Sequence, residues 1–161
     1  MNYPQKRWAA GALFFDADWR VLLLEPTYKN NWEIPGWIIE DNESPKEACE
    51  REVFEELWLK REVWELLCLE YQREEDDSYM FVFDWGVLSN DEIEKIIIQK
   101  SEIKSFGFYD IYEIEDKVLK KMFMRIKKTM WAKQEGKMIY YETVYKGVGN
   151  TGMHSWFQEY I

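Results

Sequence analysis

Ser44-Pro45-Lys46-Glu47 opens a helix on three agreeing signals: a serine cap, a proline at the first helical position and a glutamate three residues past the cap. Cys49, Val53 and Leu57 follow at i, i+4 and i+8, so the spacing predicts a helix to about Leu57 with one apolar stripe. A helix of that kind needs a second layer to bury its stripe. Strands that could supply it flank the helix. Residues 8–15, "WAAGALFF", and 21–24, "VLLL", are short apolar runs around "DADWR", the pattern of a hairpin with its turn at Asp16–Trp19. "VWELLCLEYQ" and "YMFVFDWGVL" read as strands separated by the acidic loop "REEDD", and residues 105–109, "SFGFY", as another. "SNDEIEKIII" reads as a cap and short helix whose isoleucine run could also extend as a strand. Residues 110–134 carry a second long amphipathic helix, and "KMIYYETVYK" a last strand or an ordered tail. Strands and helices mix without strict alternation, so the class is α/β or α+β with a mixed sheet.

The chain of 161 residues is expected to form one domain over 1–146, with 147–161 a flexible tail. No apolar run is long enough to cross a bilayer, and Asp16 and Asp18 interrupt the N-terminal apolar run, which argues against a membrane partner and a signal peptide. Cys49 and Cys68 stand in unrelated contexts, which excludes a disulfide framework and a thiolate metal site and suits a cytoplasmic protein. A formal charge of −10 excludes a nucleic-acid-binding surface. An acidic protein can still act on a phosphorylated substrate when divalent cations lie between the two.

On the predicted helix, Glu52, Glu55 and Glu56 stand at i, i+3 and i+4 and share one face. Three such carboxylates form either a solvated acidic face or a site for a hard cation such as Mg²⁺ or Mn²⁺.

The surrounding string, "GWIIEDNESPKEACEREVFEELWL", resembles the signature of the Nudix hydrolases, G-x5-E-x7-R-E-U-x-E-E-x-G-U with U a bulky aliphatic residue. Glu43 matches the first glutamate, Arg51 and Glu52 the Arg-Glu pair, Val53 and Leu59 the aliphatic positions, and Glu55 and Glu56 the Glu pair. "WEIPG" upstream resembles the W-x-L-P-G-G that often leads into the signature. The resemblance implies a Nudix-like α/β/α sandwich with a mixed β-sheet. It also implies metal-dependent hydrolysis of a pyrophosphate bond in a nucleoside diphosphate linked to another moiety, by water attack on phosphorus. Glu52, Glu55 and Glu56, with the backbone carbonyl of Trp37, would hold Mg²⁺ or Mn²⁺. Glu56, Glu55 or Glu102 would take the proton of the attacking water. Glu43, Arg51 and Gly36 would brace the site, while Tyr28, Trp32 and Phe83 could stack on a base or sugar. The partner implied is a small nucleotide-type substrate, and a homodimer is compatible with the resemblance. His154, the sole histidine, reads as a tail residue outside the chemistry.

The opening and late glycines of the signature fall on Trp37 and Trp58, and Trp19, Trp64 and Trp85 also occupy places where glycine is expected. Two accounts stand open. In one, the chain has diverged into a nucleotide-binding module with an impaired site; in the other, a UGA codon that encodes glycine has been written as tryptophan.

Overall fold

A computed structural model describes residues 5–62, 65–73 and 77–143, and the backbone of 144 and 158–160. The chain forms strands β1 (Arg7–Phe15), β2 (Val21–Pro26), β3 (Gly36–Ile38), β4 (Glu65–Arg73), β5 (Ser78–Val87), β6 (Ile103–Tyr109), β7 (Ile139–Val144) and β8 (Gln158–Tyr160). Its helices are α1 (Pro45–Leu57), α2 (Asn90–Glu94), α3 (Ile111–Lys117) and α4 (Lys120–Gln134). The strands make one mixed sheet in the order β6-β2-β1-β5-β4-β7-β8, with β3 paired to β1. β1 runs parallel to β5 and β4 parallel to β7, whereas β1–β2, β4–β5 and β2–β6 are antiparallel.

Period-two alternation assigns the faces. Ala10, Ala12 and Phe14 of β1 pack with Cys49, Val53 and Leu57 of α1, as the helical stripe predicts. Leu13 and Phe15 face the opposite layer, where Ile114, Phe123 and Ile126 from α3 and α4 cover the sheet. The result is an α/β/α sandwich, with α1 on the face that carries the acidic motif and Ile93 of α2 packed against the same core.

Local chemistry accounts for the element boundaries. Ser44 accepts from the Glu47 amide while Glu47 reaches back to the Ser44 amide, a reciprocal cap that starts α1. In the β1–β2 turn, Asp16 accepts from the amides of Asp18 and Arg20 at 3.0 and 2.9 Å. Residues 110–134 are two helices rather than one. Asp110 caps α3, then Val118 turns to extended geometry (φ −112°, ψ 162°) and bridges to Trp32, and α4 begins afresh. The isoleucine run after α2 is neither strand nor helix. Instead the amides of Ile97 and Gln99 donate to the carbonyls of Leu57 and Glu56, satisfying the end of α1. "KMIYYETVYK" contributes the true strand β7, and the backbone of Gln158–Tyr160 pairs with it. His154 and Trp64 lie outside the described residues.

Of the remaining tryptophans, Trp19 and Trp58 adopt left-handed backbone, with φ of 61° and 57°, where glycine is favoured. Trp37 and Trp85 do not. Trp85 is fully buried against Phe14 with ring centroids 5.1 Å apart, and Trp37 lies in β3 opposite Ala10. The demand for glycine falls one residue earlier, at Gly36: φ is +120°, and a Cβ there would stand 2.2 Å from the Ala10 carbonyl oxygen.

These differences order the variants. Left-handed backbone at Trp58 costs about 1–2 kcal/mol, and the stack of its ring on Phe54 at 4.5 Å returns about 0.5–1.5 kcal/mol. Trp58→Gly is therefore expected to unfold in urea within about 1 kcal/mol of the parent. Trp85→Gly opens a core cavity and is expected to cost about 3–5 kcal/mol. Equal losses for the two variants would contradict this assignment.

Candidate active site

Arg51, on the second turn of α1, is the hub of the acidic face. Its Nε and Nη2 meet the two oxygens of Glu43 at 2.8 and 3.0 Å, a two-pronged bridge from helix to preceding loop. Nη2 also donates to the Ile38 carbonyl at 3.2 Å, fixing the end of β3. Nη1 reaches Glu52 Oε1 at 2.7 Å and Glu55 Oε2 at 3.3 Å. The guanidinium holds the Glu43 carboxyl below the usual carboxylate range.

Glu56 stands one turn further along. Only 6% exposed, it accepts the Gly36 amide at 2.9 Å, so the glycine of β3 and the end of α1 are tied through one carboxylate. Burial pushes the Glu56 carboxyl up to about 9, and the charges of Glu52, Glu33 and Glu102 push in the same direction. Burial also raises Glu52, outweighing the contact with Arg51. Among the described residues no three acidic, histidine or cysteine side chains are gathered as a ready ligand cluster. The contacts explain this: Glu52 and Glu55 turn to Arg51, while Glu56 turns to Gly36. The donor set nevertheless suits a hard divalent cation, since buried carboxylates that repel one another gain most from a shared positive charge.

A cleft of about 250 Å³ opens beside Gly36, walled by Lys29, Trp32, Glu33, Trp37 and Tyr79 among others. Glu33 is 7% exposed and accepts from the Tyr28 hydroxyl at 3.1 Å while pairing with Lys29. Burial of the phenol, with the Glu33 carboxylate beside it, raises the Tyr28 pKa. The Lys29 ammonium lies 5.3 Å from the centres of both the Tyr28 and the Trp37 rings.

The structure thus brings Glu52, Glu56 and Glu102 within electrostatic reach of one another, with Gly36 beside Glu56 and the Arg51–Glu43 bridge behind them. Glu102 is exposed, on a loop joined to the β2 end by the Thr27 amide, which donates to the Glu102 carbonyl at 2.8 Å. Glu55 lies on the outer side of Arg51, its side chain half exposed. Trp32 and Trp37 line the cleft, and Trp37 is 52% exposed. Phe83 is a core residue on the α1 side and not part of the cleft wall. Lys29 and Glu33 were not visible as site residues in the sequence. The one signal was an acidic residue inside "WEIPG", next to the glycine that the site uses.

A model of the NUDIX domain matches residues 5–130, and the chain belongs to that family, which makes it a Nudix-type hydrolase. Solved structures share the fold. A UDP-X diphosphatase is 21% identical with a TM-score of 0.69, over 87% of this chain and 68% of that one. A MutT protein from Methanosarcina mazei Go1 is 21% identical with a TM-score of 0.65, over 84% and 99% of the two chains. An ADP-ribose pyrophosphatase from Streptococcus suis 89-1591 is 17% identical with a TM-score of 0.68, over 86% and 99%. No curated protein matches the sequence. No described helix is long and apolar enough to cross a membrane.

The raised Glu56 pKa has a stability consequence. The folded protein keeps this proton up to about 9, whereas the unfolded chain releases it near 4.5. The stabilisation linked to it is complete below 4.5 and is lost as pH rises through about 9. In EDTA, the melting temperature is expected to fall over this range, and Glu56→Gln to flatten the fall. An unchanged slope in the variant would show that Glu56 is ionised and compensated in the folded state.

Proposed function

We propose that the chain hydrolyses a pyrophosphate bond in a nucleoside diphosphate linked to another moiety, by attack of water on phosphorus, with Mg²⁺ or Mn²⁺ as cofactor. The observation that carries this reading is buried Glu56 held by the Gly36 amide, with the charges of Glu52 and Glu102 acting on it, at the edge of a cleft with aromatic and cationic walls. A divalent cation at such carboxylates neutralises phosphate charge and lowers the pKa of bound water. Glu52, Glu55 and Glu56, with the Trp37 carbonyl, are the residues that would hold it. Glu56, Glu55 or Glu102 takes the proton from the attacking water, and the Arg51–Glu43 bridge keeps the helix and its preceding loop in register for that transfer. Trp32 and Trp37 offer faces to the base or sugar in the cleft. The names UDP-X diphosphatase and ADP-ribose pyrophosphatase, carried by two fold neighbours, point to the same substrate class. The buried, unpaired Cys49 and Cys68 suit a cytoplasmic enzyme.

The exposed ring and ordinary backbone of Trp37 favour this reading over that of an impaired binding module. The test is hydrolysis of ADP-ribose and of UDP-sugars with Mg²⁺ in ¹⁸O-water. Label is expected in the phosphate product, and EDTA is expected to abolish turnover. Glu56→Gln is expected to lower kcat by about 10²–10⁴-fold. Hydrolysis that survives both EDTA and Glu56→Gln would sink the proposal.

A further inference from the structure

The cleft beside Glu56 contains an ion pair outside the acidic motif. Glu33 is fixed by its backbone, which exchanges two hydrogen bonds with Leu24, at 2.8 and 3.0 Å. Its side chain is buried, and its charge acts on Glu56. Lys29 is carried on the loop between Thr27 and Trp32, and the Thr27 amide and hydroxyl tie that loop to Glu102 and Ser101. The Lys29 ammonium is paired with Glu33 and stands between the rings of Tyr28 and Trp37, with its side chain 31% exposed. An ammonium has three donors, so the pairing with Glu33 leaves N–H groups free to meet a further acceptor. Arg51 is differently placed: its guanidinium is taken up by Glu43, Glu52, Glu55 and the Ile38 carbonyl. Lys29 shares the cleft wall with Arg7, Lys121 and Arg125, and it is paired with buried Glu33 against the Trp37 ring; its two flanking rings both have exposed surface.

We propose that Lys29 is a substrate-binding residue that contacts the phosphate oxygens of the nucleotide, and that Glu33 is a positioning residue that holds the Lys29 ammonium between the Tyr28 and Trp37 rings. The chemistry that fits is an anion joined to a flat ring: charge for Lys29, and a π face for Trp37. A buried carboxylate as anchor gives the lysine one location instead of the many that a flexible stem allows in solvent. This inference rests on the hydrolase reading for its ligand class, yet it concerns binding and can fail while hydrolysis stands.

The test is titration calorimetry of the full chain, in Mg²⁺, with ADP and with adenosine as probes. Lys29→Met is expected to weaken ADP about tenfold, the loss of one charge-assisted contact, and to leave adenosine unchanged. Lys29→Arg is expected to restore most of the ADP affinity. Glu33→Gln keeps an acceptor for the Tyr28 hydroxyl but frees Lys29, and is expected to raise KM while leaving kcat within about twofold. The double variant Lys29→Met/Glu33→Gln removes the buried unpaired charge that could unfold the single lysine variant. If it folds and binds ADP as tightly as the parent, Lys29 merely neutralises Glu33 and the proposal is overturned. Equal weakening of ADP and adenosine, or no ADP binding by the parent, overturns it too. Turnover of ADP-ribose by the parent would in the latter case leave the hydrolase reading intact.

Discussion

The bridge between Arg51 and Glu43 is the contact on which the site depends. It joins α1 to the loop that leads from β3, and the same guanidinium fixes the Ile38 carbonyl at the end of that strand. The position of Gly36, and with it the amide that meets Glu56, follows from this docking. A lysine could not replace Arg51, because a point charge cannot meet both oxygens of Glu43 and a carbonyl in one plane. The bridge also sets a competition. Arg51 holds Glu52 and Glu55 when nothing else does, and a cation bound by those carboxylates must displace its third arm.

Around that bridge, the two ends of α1 have different tasks. The N-terminal end is closed locally by the Ser44–Glu47 box, which contributes about 1 kcal/mol and needs no other element. The C-terminal end is closed by distant backbone, from Ile97 and Gln99, and this brings the 99–102 loop with Glu102 to the carboxylates. Helix termination and site assembly are one event here. Burial of Glu56 at this junction runs against stability near neutral pH, which is the cost that the proposed role in hydrolysis would carry.

What was legible in the sequence was local or strictly periodic. The α1 cap and stripe and the β1–β2 turn at Asp16 depend on residues near one another in the chain, as the charged signature does, and the structure has the cap, stripe and turn as read. The break at Val118 was not legible, because it is fixed by a bridge to Trp32, and helical periodicity runs straight through it. β3 is only three residues long, too short for an alternation to register. The pair Lys29–Glu33 reads as an ordinary i, i+4 ion pair until the fold buries Glu33 beside Glu56. Tryptophan at glycine-like places resolved unevenly. The backbone demands glycine-like freedom at Trp19 and Trp58, whereas at the opening of the signature the demand falls on Gly36, and Trp37 is free of it.

The central claim, that Glu52 and Glu56 form a divalent-cation site beside Gly36, is tested most directly by anomalous diffraction from crystals grown with Mn²⁺. The account predicts a manganese peak bounded by the carboxylates of Glu52 and Glu56, with Arg51 withdrawn from Glu52 but still bridged to Glu43. Manganese bound elsewhere, or Glu52 and Glu56 unchanged in their contacts with Arg51 and the Gly36 amide, would contradict it.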